Sequence, residues 1–251
     1  MTATLAEANI LDPDLFPASR GAPHAIFDAW RAVDPVHWNP ANPSYAPNIP
    51  GSSMTQGFWV LTRYQDVFDV SRDQALFSSH EAGFVIWDLD PMELAMQRAN
   101  FMGMLPADHQ PVKQFLTPAF SARAMQALAP EIDRLAKEIV DQMADRGSCE
   151  FVFDVASKLP VYTFCELMGI PEPMRDRVVE LGNAVADVET RGVHEIDPTF
   201  QLFVLAQEVA ALKRETPDGS LMSLLVNDPA LGLNEMAVNM FFVVFAIAGH
   251  E

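Results

Sequence analysis

The sequence predicts a mainly α-helical protein with a small β region near the N-terminus. Three observations carry that expectation. From Pro111 onward the apolar residues recur at helical spacing, punctuated by Pro and Gly. Two short β-rich runs, Val36 to Trp38 and Phe58 to Thr62, flank a Pro-rich stretch. The last segment, Met240 to Gly249, is apolar or side-chain-free throughout, as expected of a buried helix.

The elements follow in order. Residues 1–22 are Pro-punctuated and irregular. Pro23 suits a first helical position, and a helix to Val33 places Ala25, Ile26, Trp30 and Val33 on one stripe. Asp34-Pro35 stops it. Residues 39–56 hold four prolines and form a loop. Thr62 is a candidate cap for a helix with Tyr64, Val67, Phe68 and Val70 facing inward. Residues 80–108 are the least regular part, with large apolar groups beside Asp88, Asp90, Glu93 and Asp108. Such a loop either binds a ligand or folds onto the core with its own side chains. Helices are then expected over 111–116, 119–128, 130–145, 155–168, 172–190, 198–214, 219–227 and 234–251, with a short strand at Phe151 to Phe153.

Composition narrows the function. The chain has 251 residues, 49% of them apolar, with 16 basic against 34 acidic residues and a formal net charge of −18. That fits a globular domain and disfavours nucleic acid or an anionic membrane as a partner. Cys149 and Cys165 have no metal-ligand spacing and read as reduced thiols. There is no basic n-region at the start and no apolar run of the roughly 18–20 residues needed to span a bilayer. A cytoplasmic protein is the expectation.

Two constellations bear on chemistry. Asn234 is a plausible N-cap for a final helix of roughly 27 Å, at 1.5 Å per residue. Its later half should be central and covered on every side. It ends Ala248-Gly249-His250-Glu251. A small-residue pair followed by an acid either opens room for a ligand beside a proton-transfer group, or marks a close helix crossing with a solvated Glu. His109 and Lys113, four apart, share a helix face and either hold an anionic group or are ordinary surface residues. Pro111 between them requires the helix to be in its first turn.

These segments resemble one family. Met104 to Lys113 looks like the M-D-P-P-E-H-x-x-x-R segment of bacterial cytochromes P-450, and Phe120-Ser121-Ala122-Arg123 like the F-T/S-x-R that follows it. Leu167 to Pro171 is similar to the family's L-x-G-[VI]-P turn, and Gly57 to Val67 to its N-terminal strand and helix. Ala248 to Glu251 resembles the start of [AG]-G-x-[DE]-T in the central helix. The resemblance implies the P-450 fold over 23–251 as the N-terminal part of a single domain, truncated within the central long helix.

The roles it implies are those of a haem-thiolate monooxygenase that activates O2 and hydroxylates a small apolar substrate, with electrons from a ferredoxin-type donor. His109 and Lys113 would contact a carboxylate of haem b, Lys113 replacing the usual Arg as a point charge. Ala248 and Gly249 would leave room beside the iron, and Glu251 would serve proton delivery. Val244 and Ile247 would line the substrate pocket, with Ile86 and Trp87 in the loop above it. Leu105 departs from the family's Asp. The Thr after the acid, the E-x-x-R helix and the iron-ligating Cys loop are absent, so the iron ligand is expected outside this chain and the chain alone is expected to be inactive. Two other readings stand beside this one: His250-Glu251 as the start of a zinc-hydrolase H-E-x-x-H, and a non-catalytic degenerate helical protein.

Overall fold

The computed structural model describes residues 8–16, 21–42, 53–144, 146–186 and 196–249. They are mostly helical with one two-stranded sheet, and they divide into two compact units, residues 1–98 and 99–251.

The first unit holds α1 (His24–Val33), β1 (Val36–Asn39), β2 (Phe58–Leu61), α2 (Tyr64–Arg72), α3 (Ser79–Ala82) and α4 (Pro91–Ala99), the last running one residue past the division. β1 and β2 are antiparallel, with Trp38 opposite Trp59. Trp30 anchors this unit. It is 1% exposed and stacks on the buried His37 ring at 3.9 Å, while His37 Nδ1 lies 2.7 Å from Asp34 Oδ2. A short 3-10 turn, Pro13–Leu15, interrupts the otherwise irregular start.

Several expectations are corrected here. Pro23 caps α1 instead of beginning it, and of the proposed stripe only Ile26 and Trp30 are buried. Thr62 does not cap α2. Its hydroxyl donates to the Pro35 carbonyl, tying β2 back to the end of α1, and Arg63 holds the cap position without a side-chain bond. Tyr64, Val67 and Phe68 face outward, Tyr64 being 81% exposed. Val70, the fourth residue expected inward, is half-buried, and α2 buries no residue at all. The 80–108 stretch is more regular than expected, because Asp90 accepts from the N–H groups of Met92 and Glu93 and starts α4.

The second unit holds α5 (Pro106–Leu116), α6 (Ala122–Ala144), α7 (Lys158–Met168), α8 (Glu172–Ala186), α9 (Pro198–Glu215), α10 (Leu221–Asn227) and α11 (Glu235–Ala248). α9 is its spine. Leu202, Leu205, Ala206 and Val209 are fully buried along it, packed by α8, α10 and α11. The two leucines and the valine each contribute about 1.5–3 kcal/mol by leaving water. α7 brings Phe164, Cys165 and Met168 to the same core. Arg134 on α6 pairs with Glu131 and Glu138 and lies 3.8 Å from Glu166 on α7, which also pairs with Arg175 on α8. Arg134 and its α6 partners are half exposed, so those pairs orient more than they stabilise.

Proline read too strongly in this half. α5 begins at Pro106, not 111, so Pro111 lies beyond the first turn. α6 runs unbroken through Pro130, where two helices were expected. At each site a single backbone hydrogen bond is lost, and the amphipathic face on either side keeps the helix whole. Residues 151–153 form no strand. Phe151 is helical and Val152–Ala156 is a π turn, and Phe151, Val152 and Phe153 are each more than half exposed. Asn234 does cap α11, its side chain accepting from Ala237 N at 2.8 Å.

Candidate functional site

The burial of α11 runs opposite to expectation. Ala237 to Val243 and Ala246 are buried, whereas Val244, Ile247 and Gly249 are half-buried and Ala248 is exposed. The apolar rod is sealed at its start and open at its end. An open groove of about 550 Å³ lies there, walled by α6, α7 and α11. Val244, Phe245, Ala248 and Gly249 form one wall, and Phe164 and Leu128 face them. Thr163, the one wall residue with a side-chain hydrogen-bonding group, donates its hydroxyl to Leu159 O at 2.8 Å. The wall is therefore almost wholly hydrocarbon.

Gly249 has an ordinary right-handed conformation, with φ −87°. Its value is proximity. A Cβ there would stand 3.6 Å from Phe164 Cβ and 3.0 Å from the Phe245 carbonyl. The small-residue pair thus serves a close approach to α7 and also borders the groove.

α5 presents His109 and Lys113 on one face, as their spacing required. His109 lies against Phe101, with ring centroids 4.2 Å apart. Phe101 meets Phe241 edge-on, Phe241 stacks on Phe245 at 4.2 Å, and Phe245 touches Phe120. A run of aromatic rings therefore leads from the His109 imidazole to the groove wall. Sequence reading missed Phe120, Phe164, Phe241 and Phe245 as site-shaping residues, though it did place Phe101 in a pocket loop. The i, i+4 pair at 241 and 245 was the available signal.

Burial, and after it the Lys113 ammonium, hold the His109 imidazole below its ordinary value. A depressed imidazole penalises the protonated form in the folded state. Stability is therefore unaffected above the ordinary imidazole value and falls as pH drops below it. Lys113→Gln removes one of the two causes, so the His109 midpoint should move upward. A two-dimensional NMR titration of the ring checks this, and an unchanged or lower midpoint would contradict the pairing.

The other proposed residues fall as follows. Val244, Ala248 and Gly249 are brought together in the groove. Ile247 is not among its wall residues and packs against the core. Ile86 and Trp87 belong to the first unit, exposed and half-buried respectively. Beside them Asp88 accepts from Thr55 N at 2.9 Å and Ser53 Oγ at 3.0 Å, and the Thr55 contacts hold its carboxyl below the usual range. Glu251, with His250, lies outside the described residues. Cys165 is fully buried and burial pushes its thiol up to about 12, so it offers no thiolate; Cys149 is exposed. Among the described residues no group of three His, Cys, Asp or Glu could hold a metal ion.

No family model matches the chain. It is 27% identical over 249 residues to the steroid C26-monooxygenase of Rhodococcus jostii (strain RHA1), covering 96% of this chain and 51% of that protein. It is 30% identical over 208 residues to the cyclomarin C epoxidase CymV of Salinispora arenicola (strain CNS-205), covering 76% and 50%. Among solved structures, a Mycobacterium marinum cytochrome P-450 in complex with pseudoionone superposes with a TM-score of 0.75 at 30% identity, over 93% of this chain and 57% of that one. The chain spans about half the length of the curated relatives it matches. Segment order, helical architecture and relatives agree, and the chain is a member of the cytochrome P-450 family that carries its N-terminal part.

Proposed function

We propose that this chain is the front portion of a single-domain haem-thiolate monooxygenase, residues 23–251, that hydroxylates an apolar small molecule with O2. The observation that carries the reading is the hydrocarbon groove where α11 ends at Ala248 and Gly249. A flat apolar macrocycle needs such a wall, and the His109–Lys113 face of α5 supplies donors of the type that hold its carboxylates. The donor set fits the cofactor on those two counts. It supplies no iron ligand, which the reading places outside this chain.

Haem b, when bound, supplies the oxygen activation. The chain's own residues do the rest. His109 and Lys113 donate to a propionate carboxylate and fix its orientation. Ala248 and Gly249 keep bulk away from the reacting face. Val244 contacts the substrate and excludes water, and Glu251 serves proton delivery. Relatives are named for a steroid and for cyclomarin C, which supports a sizeable apolar substrate. Among the described residues no helix is long and apolar enough to cross a membrane; on the family resemblance the enzyme works in the cytoplasm and takes its electrons from a ferredoxin-type donor.

Hemin titration of the isolated chain, followed by reduction under CO, tests this. Hemin should bind without a thiolate-type band, and His109→Gln with Lys113→Gln should weaken binding by about tenfold, or 1.4 kcal/mol. A thiolate band from this chain alone would refute its incompleteness. Unchanged hemin affinity in the double variant would remove the propionate roles.

A further inference from the structure

We propose that Phe101 is the positioning residue for His109, holding the imidazole in one orientation so that it donates to a carboxylate of the cofactor. The inference rests on the propionate reading of His109 and names the side chain through which that donor is aimed.

The turn that leads into α5 fixes Phe101. Asn100 is 3% exposed, and a buried amide needs hydrogen-bond partners. Its Oδ1 accepts from Met102 N at 2.9 Å, and its carbonyl accepts from Gly103 N at 2.9 Å. An Asx turn of this kind closes the backbone around the residue between, which is Phe101. The Phe101 ring packs on the core and meets Phe241 of α11 edge-on, with centroids 6.1 Å apart and planes at 83°. Phe241 is buried, so the ring has no room to retreat.

His109 lies against that held ring, with centroids 4.2 Å apart and planes at 53°. A histidine is ordinarily oriented by the hydrogen bond that its second nitrogen makes. His37 has such a bond, with Nδ1 2.7 Å from Asp34 Oδ2. Among the described residues neither ring nitrogen of His109 has a hydrogen-bond partner, and the phenyl contact takes the place of one. Orientation matters here because burial, and after it the Lys113 ammonium, disfavour the charged imidazole. The neutral ring has a single N–H to give. Lys113 brings charge without direction, on a flexible stem, and the imidazole brings direction. Fixing it beforehand spares the ordering cost when a carboxylate arrives. A side chain of similar bulk without a flat face would fill the space and leave the imidazole free to turn about χ1.

Two readouts on the full chain test the role. Three-bond couplings of His109, assigned by His109→Ala, should report one χ1 rotamer in the parent, averaging in Phe101→Leu, and one rotamer again in Phe101→Tyr. Phe101→Met replaces Phe101→Leu should the leucine variant not fold. In hemin titration Phe101→Leu should weaken binding by about threefold, the scale of one aromatic contact, and Phe101→Tyr by less than about 1.5-fold. In a His109→Ala background Phe101→Leu should cost less than about 1.5-fold further, because no imidazole is left to position. Equal losses in both backgrounds would mean that Phe101 acts on its own and would overturn the proposal. So would a single His109 rotamer in Phe101→Leu. Hemin affinity unchanged by His109→Ala would refute the propionate reading, and the proposal with it, whatever the rotamers show.

Discussion

Phe241→Ala should lower the stability of the chain by about 3–5 kcal/mol, the range for truncating a buried phenylalanine. Phe241 is 2% exposed and sits at the middle of the aromatic run. Its ring stacks on Phe245 and takes the edge of Phe101, which in turn carries His109. Truncation leaves a cavity that these rings cannot all close, because each is held by a different element. The loss should appear as a lower urea midpoint with an unchanged slope. It should also free Phe101 and let water reach His109, so the His109 midpoint should rise toward its ordinary value. A cost under about 1 kcal/mol would mean that the aromatic run is not a mechanical link between α5 and α11.

Gly169→Ala should cost about 2–4 kcal/mol, combining left-handed strain with overpacking. Gly169 ends α7 with φ +71° and carries the close of that helix, with Ile170 N donating to Cys165 O at 2.8 Å. A methyl group there would collide with Ser220 Cβ and Oγ and stand 2.7 Å from Lys213 Nζ. Those are not free ends of flexible chains. Lys213 is nearly buried and pairs with Asp218, and Ser220 also bonds Asp218. Asp218 N donates to Ser223 Oγ, and the Asn227 amide donates to Lys213 O. The network has no slack to yield. Burial pushes the Asp218 carboxyl up, yet its bonds to Lys213 and Ser220 prevail and hold it below the usual range. Its stabilisation is thus present at neutral pH and is lost as pH falls through that depressed value. Thermal melting of Gly169→Ala beside Gly147→Ala separates the two causes. Gly147 also has positive φ, but a Cβ there meets nothing within 4 Å. Equal losses would show that only the backbone conformation matters.

The family was readable because its signals are local. Leu167 to Pro171 needs a glycine at a helix end, and that requirement is met at Gly169 itself. The cap at Asn234 and the shared face of His109 and Lys113 are likewise set within one helical turn. What failed were inferences about what lies across from a residue. Pro130 looked like a boundary, but one missing hydrogen bond is minor beside the packing of a 23-residue amphipathic helix. Phe151 to Phe153 looked like a strand, but with no partner strand offered to them they wind into a π turn.

The sequence by itself determined the mainly α class, the antiparallel pair near the N-terminus, the family, and which residues share a helix face, because helix periodicity and capping are settled by neighbours a turn away. Only the tertiary structure decided which face is buried. It left α2 with no buried residue, opened the end of α11 and threaded the phenylalanines between His109 and the groove. Burial depends on the surfaces that distant segments bring, and no local pattern of residues encodes those.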